Sequence, residues 1–249
     1  MNDYDINIQV PRIGLRAQIL ATWYLRFNGF FIVPNFILHD AGLHKQVGGQ
    51  LSEADLLAIR LPYTHEIIKG NDFKINIQPD RVLDLTGQVL DFVIVEVSSE
   101  QCKFNWLDTQ KKNINQEFLT YALRRFGWWS DIEQISYILA KKKRLDQADE
   151  KIGLSTRIRL LSLGNSINRD LEGILQITFH DVLRYLKEDL FASYGLDERL
   201  KAIVSDHKQW DPLICQVYNK LIGHKVKEHN VEEVLVWLFP DANVMKAGG

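Results

Sequence analysis

Cysteine is nearly missing from this chain: 249 residues contain two, Cys102 and Cys215. With no CxxC and no paired-ligand spacing, they argue against a disulfide framework or a structural zinc site and suit a reducing cytoplasm. Long apolar runs are lacking too. None approaches the roughly 18 residues a bilayer-spanning helix needs, so no membrane association is expected. The segment Met1-Asn2-Asp3-Tyr4-Asp5 is acidic, without the positive-then-apolar progression of a secretory signal. Neither sign of charge is in excess, with 30 Lys and Arg against 32 Asp and Glu for a net −2. This balance argues against a strongly basic, non-specific nucleic-acid binder, whose affinity comes from counterion release. It leaves room for an acidic metal site beside a local basic groove. Familiar catalytic signatures are missing as well. The seven histidines form no HExxH, Gly48-Gly49 is not followed by the GK[ST] of a phosphate loop, and there is no Gly-x-Ser-x-Gly.

What is present is an ordinary globular composition, 46% hydrophobic and 25% charged, sufficient for a substantial core. Ile19, Leu20, Trp23, Tyr24 and Phe27 recur on one face of a helix over Ile13 to Asn28, with Gly29 as its stop. Phe30 to Leu38 reads as a strand, and Pro34 places it at an edge or bend. A strand around Asp55 to Leu61 follows. The long stretch from Pro62 to Thr86 demands a task or small elements of its own, such as a short strand at Phe73 to Ile77. Phe92 to Val97 is almost continuously apolar, as in a central strand covered on both faces. Ile114 to Phe126 forms another helical face, and Ser130 with Glu133 predicts a capping box for a helix to about Lys142. Lys141 to Lys151 reads as a charged hinge before a strand over Thr156 to Leu163. Beyond it the texture is helical: Thr178 caps one helix, Leu213, Val217 and Leu221 mark another, and Asn230 with Glu233 boxes a last one. The expected fold is α/β, a mixed central sheet flanked by helices with a helical C-terminal extension, divided as 1–165 and 166–249.

Two of the strands carry carboxylates near one end: Glu53 and Asp55 in the first, Glu96 in the second. Carboxylates on neighbouring strands supply the hard oxygen ligands of a magnesium-dependent phosphodiesterase. Alternation puts Glu96 and Ser98 on one face of their strand, so Asp55 and Glu96 can converge if the strands are neighbours. The plainer alternative is a pair of strand-end carboxylates that are solvated or ion-paired. Against it, Glu96 interrupts an apolar run where an unpaired charge is costly. Cys102 has Lys103 beside it, which would lower the thiol's pKa slightly. The tryptophans at 106, 128, 129 and 210 could stack on bases, although core anchoring is the commoner use of such residues.

These residues resemble the PD-(D/E)XK nuclease superfamily, the restriction-endonuclease-like fold. Its core order of helix, three strands, helix and strand is the one read above. The chain is further similar to a group of bacterial proteins in that superfamily. The matching segments are Tyr24-Leu25-Arg26-Phe27-Asn28-Gly29-Phe30 with Pro34-Asn35-Phe36, then Asp55 to Arg60 with Pro62, His65 and Glu66. Glu96-Val97-Ser98-Ser99 and Cys102-Lys103-Phe104-Asn105 continue the match. The resemblance covers the first half well and the second only in the Thr178 to Tyr185 segment. It implies Asp55 and Glu96 as ligands of Mg or Mn, and DNA as the substrate. The family lysine, which orients water and stabilises phosphorane charge, falls on Ser98. The helix glutamate that often assists the metal falls on Gln18. Lys103, five residues after Ser98, is the candidate for a displaced lysine. Two functions therefore stand open: a divalent-metal-dependent nuclease, or a catalytically inactive nuclease-fold subunit that binds nucleic acid or a protein partner. A homo-oligomer is compatible with either, and a third possibility is that the carboxylates are structural and the fold serves only assembly.

Overall fold

The computed structural model describes residues 11–39, 50–64, 66–69, 74–85, 87–108, 113–149, 154–194, 210–223 and 227–240. Helix α1 (Ile13–Phe27) buries Ala17, Leu20, Ala21, Tyr24 and Leu25 at helical spacing, and Gly29 turns the chain with φ 84°. The turn is tight, because a Cβ on Gly29 would lie 2.7 Å from the Thr64 methyl. Strands β1 (Phe30–His39), β2 (Gln50–Arg60) and β5 (Val89–Val97) follow as an antiparallel run. Between β2 and β5, the Pro62–Thr86 stretch contains its own small elements. These are a hairpin of β3 (Glu66–Lys69) and β4 (Lys74–Ile77), then a 3₁₀ turn at Arg81–Leu83.

After a small ribbon of β6 (Leu107–Asp108) and β7 (Asn113–Ile114), helices α2 (Gln116–Phe126) and α3 (Ile132–Lys142) cross over one face. The chain returns through β8 (Arg144–Asp149) to β9 (Leu154–Gly164), which pairs parallel with β5. The other side of β9 is shared: β8 pairs antiparallel with its first half and β10 (Leu175–Thr178) parallel with its second. The sheet order is thus β1-β2-β5-β9-β10, with β8 beside β9. β1 is the outer strand, where Pro34 removes no needed ladder donor. Helix α4 (Phe179–Tyr185) starts directly from β10 with the Thr178 hydroxyl accepting from Asp181 N, and continues through a π-helical turn to Phe191.

Alternation along the central strands feeds two cores. On one face Val93, Val95, Leu161 and Leu163 pack against α1, α4 and the helices Pro212–Ile222 and Val231–Leu238. On the other, Phe92, Ile94, Ile158 and Leu160 pack under α2 and α3 with Phe104 and Trp106. The residues beyond 165 therefore supply a strand of the central sheet as well as helices over it.

Two local expectations are corrected. Helix α3 has Asp131 at its N-cap with no side-chain cap bond, so Ser130 and Glu133 form no capping box. The charged hinge is in fact strand β8: Arg144, Asp146 and Ala148 are exposed while Leu145 and Gln147 are partly covered. An outer strand with one wet face carries charges at every second residue, which reads like a solvated loop. The Asn230–Glu233 capping box is present with both of its bonds.

One end of the sheet holds a buried ionic row. Arg60, Asp91 and Arg157 are successive register partners across β2, β5 and β9. Asp91 Oδ2 accepts from Arg157 Nη2 at 3.0 Å and Arg159 Nη2 at 2.7 Å, with all three side chains buried. Burial lowers the pKa of Arg159 and of Arg60, and Asp91 opposes the effect in both. Arg60 also donates to Asn28 O at the end of α1 and to Thr64 O, tying the helix end to the loop after β2.

Candidate functional site

The two predicted acids lie at the opposite end of β5 from that ionic row. The β2–β5 ladder runs from Arg60↔Asp91 to Leu56↔Val95, and Asp55 and Glu96 are the next residues along their strands beyond its last pair. There the ladder ends and the Asp55 side chain takes over: its Oδ2 accepts from Val97 N at 2.7 Å. A carboxylate thus occupies the place of a backbone acceptor, bonded to the residue that follows Glu96.

The strand is distorted where this happens. Across β1 and β2, Pro34 pairs with Leu56 and Phe36 with Ala54, while the intervening Asn35 adopts left-handed backbone with φ 51°. Asn tolerates that region better than other non-glycine residues. Leu56 packs in the core under α1, whereas Ala54 packs in the core under α2. Two residues apart on a regular strand would share a face, so the alternation breaks at Asp55.

Each acid has an amide donor. Gln18 Nε2 on α1 donates to Asp55 Oδ1 at 2.9 Å, and Asn105 Nδ2 donates to Glu96 Oε2 at 2.8 Å. Glu96 is 1% exposed, as its place in the apolar run requires. Asn105 belongs to the segment that follows β5. Its neighbours Phe104 and Trp106 are both buried and meet edge to face, with ring centroids 6.0 Å apart. These two rings fix the backbone on either side of an exposed asparagine.

Ser98 is 6% exposed. Its N–H extends the parallel ladder to Leu163 O at 2.8 Å, and its hydroxyl accepts from Glu100 N at 3.2 Å. The hydroxyl therefore holds a turn. The turn is clamped to the end of β9: Asn165 N–H donates to Glu100 O, Cys102 N–H to Ser166 O, and the Asn165 amide to Ser99 O. A Cβ at Gly164 would stand 2.6 Å from Cys102 N, so only glycine allows this approach.

Lys103 is exposed, its backbone carbonyl accepts from Ser162 Oγ at 2.8 Å, and no ion pair joins it to Asp55 or Glu96 among the described residues. Cys102 departs from expectation. Burial pushes its thiol up to about 11 rather than down, and the hydrogen bonds around it offset this only in part. The thiol is fully buried, facing the carbonyls of Ser162 and Ile177. Glu53, His65 and the Lys111–Lys112 pair lie outside the described side chains. Trp106 is a core anchor, and Trp128 is the most open of the tryptophans proposed for stacking.

No family model, curated protein or solved structure matches this chain.

Gln18, named in sequence through the resemblance, touches Asp55, and the contact that sequence reading missed is that of Asn105 with Glu96. Asn105 carries no periodic signal, and what could have singled it out is an amide held between two buried aromatic residues. Among the described residues, no group of three or more His, Cys, Asp or Glu side chains is placed to hold a metal. The contacts are instead two carboxylate–amide pairs, Asp55 with Gln18 of α1 and Glu96 with Asn105, all able to present oxygen. No described helix is long and apolar enough to cross a membrane.

Proposed function

We propose that this chain is a PD-(D/E)XK-type protein acting on DNA, a phosphodiester hydrolase dependent on Mg or Mn held by Asp55 and Glu96. The observation that carries this reading is the Asp55 carboxylate bonded at 2.7 Å to the backbone N–H of Val97, the residue after Glu96, where the pairing of β2 with β5 ends. The core order of α1, three antiparallel strands, helices and a parallel strand supports the resemblance found in sequence. The donor set fits the group: oxygen only, with two anionic members, suits hard divalent cations over zinc or copper. When bound, such a cation polarises the phosphoryl oxygen and makes water a stronger nucleophile. Val97 N–H holds Asp55 Oδ2 and leaves Oδ1 on the Gln18 side. Burial in the apolar strand fixes the Glu96 backbone, and the exposed Asn105 marks the side open to solvent. Lys103, close in sequence and exposed, is the chain's own source of the positive charge that Ser98 does not supply.

The test is divalent-dependent nicking of plasmid and oligonucleotide DNA by the purified chain. The reading predicts cleavage with Mg or Mn that Asp55→Ala and Glu96→Gln each abolish. Cleavage unchanged in both variants, or none under any divalent condition, would refute it.

Ser98 favours a second reading, a nuclease-fold subunit that binds nucleic acid or a partner protein without cutting. Its hydroxyl is engaged in the turn, and a serine at this position stabilises developing charge far less than a lysine. Ser98→Lys separates the readings: cleavage gained by this variant from an inactive parent supports the second.

A further inference from the structure

Asn105 is an exposed residue whose amide is spent on a carboxylate that solvent barely reaches. An exposed asparagine satisfies itself with water at no cost, so nothing in its own solvation requires this bond. Its position is nevertheless fixed. Phe104 and Trp106 are buried on either side, Leu107 N–H closes the turn onto Phe104 O at 3.0 Å, and Trp106 O accepts from Asn115 N at 2.8 Å. A rigid backbone that aims one amide at one carboxylate oxygen is the arrangement expected of a built site.

An asparagine amide offers two N–H donors on one side and a carbonyl acceptor on the other. In this structure the donor side faces Glu96 Oε2. A divalent cation on that oxygen would repel the NH₂ group and attract the carbonyl. A half-turn about the terminal bond exchanges the two without moving the backbone. Gln18 stands in the same relation to Asp55 Oδ1. We infer that Asn105 is a further ligand of the divalent cation, turning from a donor to Glu96 into a carbonyl-oxygen ligand when the cation binds. This inference rests on the metal reading above and adds to its two acids a third side chain, from the segment after β5. It also gives the cation an approach from the exposed Asn105 side, since the Glu96 carboxylate is covered elsewhere.

The experiment uses the full chain and the metal alone. Mn binding is measured by calorimetry and by loss of the free-ion electron paramagnetic resonance signal, with Mg as competitor. Asn105→Ala is expected to weaken binding by about 10- to 100-fold, the usual loss on removing a group that supports a metal site. Asn105→Asp is expected to bind Mn more tightly than the parent, because a carboxylate replaces a neutral oxygen. In the unmodified chain, Mg saturation is expected to shift the Asn105 side-chain ¹⁵N–¹H₂ resonances, a readout independent of whether any variant folds. Mn affinity unchanged in Asn105→Ala, with Asp55→Ala abolishing binding, would overturn the Asn105 assignment and leave the metal reading standing. Equal Mn binding by the parent and Asp55→Ala would overturn the metal reading and this inference with it.

Discussion

Asp91→Asn tests the ionic row at the far end of the sheet. Asp91 is the acid shared by Arg157 and Arg159, at 3.0 and 2.7 Å, and faces Arg60 across the ladder. The substitution keeps the shape but removes the charge, and turns an NH₂ group or a neutral oxygen toward two buried guanidinium groups. At an effective dielectric of about 20, one such close pair carries about 4 kcal/mol of attraction. The desolvation of Asp91, no longer incurred, offsets part of the loss from two pairs. Removing one partner of a buried pair typically costs about 3–5 kcal/mol. The asparagine oxygen can still accept one hydrogen bond, so about 3 kcal/mol is expected, or a fall in Tm of about 6–12 °C for a domain of this size. Urea unfolding followed by tryptophan fluorescence at neutral pH measures it, with an unchanged m value showing that the unfolded state is not the cause. Arg159→Met in the Asp91→Asn background should recover part of the loss by removing one uncompensated charge. Asp84→Asn is the control: Asp84 is 63% exposed, and its bridge to Arg157 should contribute no more than about 1 kcal/mol. A loss below about 1 kcal/mol for Asp91→Asn would refute the argument, since the arginines would then need no buried counter-charge.

Gly164→Ala places a methyl 2.6 Å from Cys102 N and 2.9 Å from Glu100 O, so it should destabilise the chain by about 1–3 kcal/mol in urea and disturb the Ser98–Asn105 segment. Trp106→Ala empties a fully packed position and should cost about 3–5 kcal/mol, read from the same unfolding curves. The Cys102 thiol, pushed up to about 11, should resist iodoacetamide in the native chain and react once unfolded. Because its folded pKa is raised, the native state holds the proton longer than the unfolded one. Stability should therefore be flat below the ordinary thiol range and fall from about pH 9 to about 11, a slope that Cys102→Ser should reduce. Asn230→Ala removes the capping box of the last described helix and should cost about 1 kcal/mol.

The elements that were legible are those whose own residues determine them. The face of α1, the apolar run of β5 and the caps at Thr178 and Asn230 follow from spacing and side-chain chemistry within a few residues. Strand β8 was not legible because its covered face is short and its wet face is charged. The acids of the site were legible as strand-end carboxylates, and the depth of Glu96 followed from its apolar neighbours. Of their donors, Gln18 was named only through the resemblance, and the Asn105 contact was not legible because it lies in an aperiodic turn. The Arg60–Asp91–Arg157 row depends wholly on register across three strands, which no local pattern encodes.

The shared position of β9 has a consequence for how the chain is made. Both acids emerge from the ribosome before residue 100, and β2 can pair with β5 at once. The other edge of β5, however, waits for β9: Val89 pairs with Ser155 and Val97 with Leu163. Until then a strand that is apolar on both faces presents an open row of backbone donors and acceptors, a template for joining another nascent chain. A fragment ending before Leu154 would keep the two acids yet collect as aggregate, and the full-length protein would be most vulnerable during synthesis in the interval when α2 and α3 are being added.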